Sequence, residues 1–340
     1  MKFTVFPNLQ LNPDTRPNPS MQLLIEALTQ NGVKVVNPPA KNPLLSILKP
    51  SAQGDVLILN WLEDVIFSKY GWLQWTVAFF LVYWLQLSGK KTIYMLHNKT
   101  SHIERHHRAT EILRRLIIKK SAFILTYARE GVDFMRQQYP KAADKTFYIN
   151  HPTVDRLSMC KHPDAASRKY DILIWGTISK YKGVTDFIRF IRDNNVNDLK
   201  VCILGRCPSA ELYNEIQSTK TENIDFIDKG LPFEELAHYI DDARFVLVPF
   251  QTKTLLGSGT LADSLSFGAK VIGPDAGSFS DYPGKEPRIK VYTFKQFSEI
   301  PQIVKQHAGD NVDIDQYKSF LDQYTWYNYA RQIISKCKEH

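Results

Sequence analysis

The chain of 340 residues is 44% hydrophobic and 23% charged, with neither a low-complexity tract nor an internal repeat. Those values exclude a disordered or fibrous class and set two globular domains as the expectation. A formal net charge of +8 calls for an anionic partner, which nucleic acid, a membrane surface or a phosphorylated substrate would each satisfy. The four cysteines, Cys160, Cys202, Cys207 and Cys337, are scattered and form no CxxC pair. That pattern argues against a disulfide framework or zinc site and fits reduced thiols of the cytosol.

The opening MKFTVFPNLQ lacks the long apolar region of a signal peptide and reads as a first strand. Short apolar runs then predict strands over 2–6, 34–36, 56–60, 92–96, 123–126 and 146–149, with helices such as 21–31 and 103–120 between them. The segment 71–88, GWLQWTVAFFLVYWLQLS, is uncharged and carries Trp72, Trp75 and Trp84. Its length sits at the threshold of a membrane span. Gln74, Gln86 and the strand that follows at once argue against spanning; a buried helix is the first expectation and an interfacial one the second. The next helix is crowded with Arg105, Arg108, Arg114, Arg115, Lys119 and Lys120, offset only by Glu104 and Glu111. This run reads either as a solvated face or as an anion-binding one, with His106 and His107 on its surface.

A polar stretch, KHPDAASRK at 161–169, reads as a linker, after which the pattern restarts. Strands are predicted over 171–175, 200–204, 224–226, 245–249, 270–272 and 289–292, with helices over 184–193, 233–241 and 260–267. Strands alternating with helices predict an α/β chain of two Rossmann-like, doubly wound parallel sheets facing a central cleft. The expected domains are 1–163 and 164–323, with 324–340 a helix crossing back to the first. Ligands of such sheets sit beyond the carboxyl ends of the strands, so the strand-to-helix loops are where function is sought.

Two of those loops suit phosphate. Gly176-Thr177-Ile178-Ser179-Lys180-Tyr181-Lys182-Gly183 places an ammonium beside backbone N–H groups at a helix start. It lacks the GKS/T ending of a Walker A loop. Gly257-Ser258-Gly259-Thr260 opens another helix, where glycines allow close approach and the dipole favours negative charge. An ordinary strand–turn–helix and simple N-capping by Ser258 or Thr260 are the plain alternatives.

The stretch ARFVLVPFQTKTLLGSGTLADSLSFGAKVIGPDAG resembles the donor-binding region of GT-B glycosyltransferases related to family 4, and the loop 176–183 resembles their phosphate-binding element. Trp61-Leu62-Glu63 and the run from His97 and Asn98 to His102 and Glu104 look like acceptor-domain loops of bacterial exopolysaccharide transferases. The ending TWYNYARQI looks like the family's terminal crossing helix. The resemblance implies transfer of a sugar from a UDP- or GDP-linked donor to a glycan or lipid-linked glycan in surface polysaccharide synthesis, without a metal or other cofactor. By this resemblance Lys182 and the 258–260 loop contact the diphosphate, with Gly176 and Thr177 at the head of the first loop. Asp263 would bind ribose hydroxyls. Gly205, Arg206, Lys229 and Leu231 would lie near the base, and His97 would face the sugar. Lys253 is a further cation for the leaving group.

Departures from the family pattern are Thr177 where an Arg is usual, Asp263 where a Glu is usual, and Leu255 where a second Glu is usual. Transfer with inversion needs a general base, for which Asp14, Glu63, Asp64, His97 and His102 are candidates; His97, at the end of a predicted strand, is placed best. A histidine bonded to backbone is the plain alternative. Asp313-Ile-Asp315, the one Asp-x-Asp, is expected to cap a helix. The adjacent aromatic and basic clusters suggest peripheral seating on the anionic inner face of the plasma membrane. No nucleic-acid motif is present. A nucleotide-sugar 2-epimerase and a non-catalytic nucleotide- or glycan-binding protein remain as alternatives.

Overall fold

The computed structural model of the chain describes residues 1–10, 19–101, 106–164, 167–250 and 253–339. Asp14 and His102 lie outside the described residues. The chain divides into unit 1, Met1–Asn150 with Thr325–His340, and unit 2, His151–Tyr324.

Unit 1 carries β1 (Lys2–Phe6), β2 (Lys34–Val35), β3 (Val56–Asn60), β4 (Lys91–Leu96), β5 (Phe123–Thr126) and β6 (Thr146–Tyr148). They pair in parallel in the order β2-β1-β3-β4-β5-β6. Each position of β3, VLILN, is buried, as a central parallel strand covered on both faces requires. Between the strands lie α1 (Ser20–Gln30), α2 (Pro43–Ile47), α3 (Gly71–Leu87), α4 (His107–Lys120) and α5 (Arg129–Gln138).

Unit 2 repeats the plan with β7 (Tyr170–Trp175), β8 (Val201–Leu204), β9 (Ile224–Ile227), β10 (Ala243–Leu247), β11 (Val271–Pro274) and β12 (Val291–Phe294). Their order is β12-β11-β10-β7-β8-β9, all parallel, so the chain reverses its direction of winding between β7 and β10. A crevice opens at the carboxyl ends of strands at such a switch point. The helices are α6 (Val184–Asp193), α7 (Ala210–Thr219), α8 (Phe233–Asp241), α9 (Gly259–Ser266), α10 (Ile300–His307) and α11 (Ile314–Gln323). In α6 the buried residues Val184, Phe187, Ile188 and Ile191 recur at helical spacing and seat it on the sheet. Asp313 caps α11, its carboxylate accepting from the Gln316 N–H at 3.0 Å. The chain then returns to unit 1 as α12 (Trp326–Glu339), which buries Trp326, Tyr329, Ala330, Ile333, Ile334 and Cys337.

The unit boundary falls at Asn150 and not after 163, because the segment beyond 150 is bonded to unit 2. Thr153 N donates to Tyr324 O at 2.8 Å, Arg156 N to Ser266 O at 3.0 Å and Lys161 N to Asp241 at 2.7 Å. Residues 161–164 and 167–169, read as part of a linker, thus belong to unit 2 ahead of β7.

Two surface expectations are corrected. α3 is not a buried helix: only Ala78, Leu81, Val82 and Leu85 are buried, while Trp72, Leu73, Phe80, Tyr83, Trp84 and Leu87 are exposed. No described helix is long and apolar enough to cross a membrane. Arg114 does not belong to a solvated face; it is 2% exposed and turned into unit 1.

Candidate active site

In unit 2 the loops after β7 and β10 flank the switch point. A small pocket opens there, lined by Trp175, Lys182, Pro249, Phe250 and Thr260 among others. Its shape depends on two glycines. Gly176 has φ +104°, and a Cβ on it would come within 3.3 Å of Lys182 Nζ, so its hydrogen leaves that ammonium room. At the end of β8, a Cβ on Gly205 would lie 1.8 Å from the Gly176 carbonyl oxygen, so the two strand ends touch backbone to backbone.

Lys182 is half-buried, and among the described residues no carboxylate pairs with it. Loss of hydration alone lowers its pKa from 10.5 to about 8. Ser179 Oγ in the same loop is buried with no hydrogen-bond partner among the described residues. Facing them is the start of α9. Ser258 is its N-cap, accepting from the Leu261 N–H at 3.2 Å, so its hydroxyl is engaged by the helix. The N–H groups of Gly259 and Thr260 belong to the first turn, which has no intrahelical acceptors. A Cβ on Gly259 would meet nothing within 4 Å, so the backbone there is open to a ligand. Trp175 Nε1 donates to Ser264 Oγ at 2.9 Å and ties α9 to β7.

One turn along α9, Asp263 accepts from Arg156 Nη1 at 3.1 Å, and Arg156 lies 4.0 Å over the Phe233 ring. Burial raises the Asp263 pKa, against the pull of Arg156. Nothing in the stretch TVDRLSM marks Arg156 as a partner; only the fold brings it to α9. Leu255 is buried in the apolar core of unit 2. Arg206 and Lys253 are exposed on their loops. Lys229 is exposed and pairs with Glu235 at 3.2 Å, while Leu231, just beyond it, is half-buried. The structure therefore brings Gly176, Lys182, Gly259 and Thr260 together, with Asp263 adjoining.

In unit 1 His97 follows β4 directly. Its Nε2 lies 2.9 Å from Asn60 Oδ1, while Asn60 Nδ2 donates to Phe6 O at 2.9 Å. The amide orientation fixed by Phe6 makes Oδ1 the acceptor, so a neutral His97 carries its proton on Nε2 and its lone pair on Nδ1. Trp61 stacks on the imidazole, centroids 4.1 Å apart and planes 17° apart. It reaches that position through left-handed backbone at φ 52°, a conformation costly for a bulky residue. Asn60, a fully buried polar residue closing an apolar strand, is the orienting group that the VLILN pattern signals but does not explain. Asn98 follows in the same loop, half-buried.

Glu63 is 5% exposed and engaged within the fold: Tyr94 donates to its Oε1 at 2.5 Å, and Arg114 Nε lies 3.6 Å from it. Arg114 Nη1 donates in turn to Lys99 O at 2.6 Å. Beside this network Asp64 is half-buried, and its pKa is raised from 3.8 to about 6, first by burial and then by Glu63. A carboxyl with a raised folded-state pKa contributes stability below its unfolded pKa and loses it as pH rises through the folded one. Asp64→Asn therefore stabilises the protein at pH 7.5 by about 1–3 kcal/mol and leaves it unchanged near pH 4. Urea unfolding at the two pH values checks this; an equal gain at both would exclude the ionisation as its source.

Two doubly wound parallel sheets in tandem, with a terminal helix returning to the first, define the GT-B fold. No protein-family model and no curated protein sequence matches the chain. Among solved structures it is similar to sucrose-phosphate synthase from Thermosynechococcus elongatus, with TM-score 0.68 and 12% identity over 99% of this chain and 98% of that one. It is also similar to Anabaena HepE in complex with UDP-glucose, with TM-score 0.67 and 11% identity over 100% of both chains. A third is a glycosyltransferase of avilamycin A biosynthesis, with TM-score 0.59 and 15% identity over 98% of this chain and 96% of that one. At such identities the likeness shows the shared GT-B fold.

Proposed function

We propose that the protein is a glycosyltransferase that moves a sugar from a UDP- or GDP-linked donor to a glycan or polyprenyl-linked glycan in bacterial surface polysaccharide synthesis. The carrying observation is Lys182: a half-buried ammonium, without a carboxylate partner among the described residues, beside the open first turn of α9. Such a pair suits the two charges of a leaving diphosphate. HepE, one of the similar proteins, was solved in complex with UDP and with UDP-glucose, which supports a nucleotide-linked donor in this reading.

In this reading Lys182 and the Gly259 and Thr260 N–H groups hold the diphosphate, and Asp263 with Arg156 adjoins the ribose. Gly205, Arg206, Lys229 and Leu231 frame the base, and Lys253 adds positive charge. His97 Nδ1 takes the acceptor proton. Asp14 and His102 remain base candidates by sequence, and Asn98 an acceptor contact. The donor chemistry needs no metal in this scheme. A lipid-linked acceptor would place the enzyme at the inner face of the plasma membrane.

The experiment is a thermal-shift series with UDP, GDP, CMP and their sugar conjugates. A ligand at about 100 times its Kd contributes about 2.7 kcal/mol, a rise of roughly 5–10 °C for units of this size. No response to any nucleotide diphosphate would overturn the reading in favour of a non-catalytic protein. Epimerised donor formed without acceptor would overturn it in favour of a 2-epimerase.

A further inference from the structure

We propose that α3 and α4 together form a preformed docking surface for an anionic lipid bilayer. The inference deepens the membrane-facing reading above and rests on it. It draws on unit 1 alone.

α3 contains no charged residue. Its positions 72, 76, 80, 83 and 87 follow one another at spacings of four and three, so they form one line along the helix, flanked by 73 and 84. All seven are exposed, and only Thr76 among them is polar. Trp72, Leu73, Phe80, Trp84 and Leu87 are each more than half exposed, the last at 84%. A contiguous row of large apolar side chains on one helix is not ordinary surface. Trp and Phe are the residues that settle at the boundary between headgroups and acyl chains.

α4 lies alongside. Trp75 Nε1 donates to Ala109 O at 2.8 Å, Trp72 meets His106 edge-on at 5.3 Å, and Lys120 Nζ lies 5.1 Å over the Tyr83 ring. The exposed line of α4 is Arg108, Ile112, Arg115 and Lys119. A basic row thus runs beside an apolar one. Arg114, buried against Glu63 and Lys99 O, anchors α4 from beneath, so both rows are held in place without a ligand.

Charge identifies the occupant. Residues 69–120 hold ten Lys and Arg against two acidic residues, while the rest of the chain holds thirty-three of each. The entire net charge of +8 therefore resides in the segment that builds and borders this surface. An apolar row framed by cations matches a bilayer bearing anionic headgroups, into which aromatic side chains insert while Lys and Arg stay at phosphate level. A second copy of this chain would bring two such surfaces together and oppose like charges.

The test is sedimentation of the full chain with phosphatidylcholine vesicles, with and without phosphatidylglycerol. Binding is expected to vesicles containing phosphatidylglycerol at low ionic strength and to weaken with salt. Brominated acyl chains should quench tryptophan fluorescence. Removing each of Arg108, Arg115 and Lys119 as Gln weakens binding about five-fold, and all three together on the order of 100-fold. Trp72→Ser, Phe80→Ser and Trp84→Ser combined should abolish quenching and lower partitioning at least as much. Both variant sets should keep the nucleotide thermal shift, which reports on unit 2. Protein that stays in the supernatant with anionic vesicles, or binding that survives both variant sets, overturns the proposal. So does a dimer that the Ser variants dissolve and vesicles do not. Since vesicle binding requires neither donor nor acceptor, its failure is separate from a failure of glycosyl transfer.

Discussion

Lys182→Ala is expected to lower affinity for the nucleoside diphosphate, and turnover with it, on the order of 100-fold or more. The ammonium stands in a partly dehydrated pocket, where its attraction for phosphate is screened less than in water. The same dehydration dictates two further signs. Because the folded-state pKa is depressed from 10.5 to about 8, the charged form costs stability at all pH values below about 8, and that cost fades between there and the unfolded value. Lys182→Met therefore makes the unliganded protein more stable at pH 7, by about 1–3 kcal/mol, while it loses nucleotide binding. In the wild type, affinity for UDP or GDP falls about tenfold per pH unit well above 8, since only the ammonium binds, and binding at pH 8 takes up about half a proton. Calorimetry in buffers of different ionisation enthalpy measures that proton. A variant that binds as well as the parent would remove Lys182 from the donor site.

His97→Ala is expected to lower the rate of transfer by 10²–10⁴-fold, the range that a positioned general base supplies, with nucleotide binding unchanged. Asn60→Ala should cost less, about tenfold, because it frees the imidazole from the tautomer that leaves the lone pair on Nδ1. The split between intact thermal shift and lost transfer distinguishes proton transfer from damage to the fold. If His97→Ala transferred sugar at the parental rate, the base would lie elsewhere or the reaction would proceed without one.

The two sheets were legible because their signals are local. Runs such as VLILN and YDILIW sit between glycine and polar breaks, and the twelve strands among the described residues fall where the apolar runs predict them, with ends shifted by up to two residues. The phosphate loops were legible for the same reason, glycine, lysine and serine at a strand end being readable in one dimension. What failed was anything set by a partner distant in sequence. The uniformly apolar 71–88 run has no periodicity to say which side faces protein, so it read as buried although only four of its residues are. Glu63 reads as a free acid until Tyr94 and Arg114 are brought to it. Arg156 reaches Asp263 across 107 residues of sequence, and Arg114 looks like its exposed basic neighbours until α4 is laid on the sheet.

The return of α12 to unit 1 makes that unit discontinuous, and this bears on how the protein is made. Asn31 Nδ2 donates to Tyr327 O at 3.0 Å, the Tyr127 and Tyr329 hydroxyls meet at 3.1 Å, and Lys91 Nζ donates to Cys337 O at 3.4 Å. Each contact joins residues that leave the ribosome early to residues that leave it late. Unit 2 is in effect an insertion that must be translated before its host can close. A nascent chain therefore spends the interval with the seat of α12 uncovered, including the apolar surface that Tyr329, Ile333 and Cys337 will occupy. Unit 2, by contrast, is continuous from His151 to Tyr324 and can complete its own sheet first. The order of synthesis and the order of completion are thus reversed.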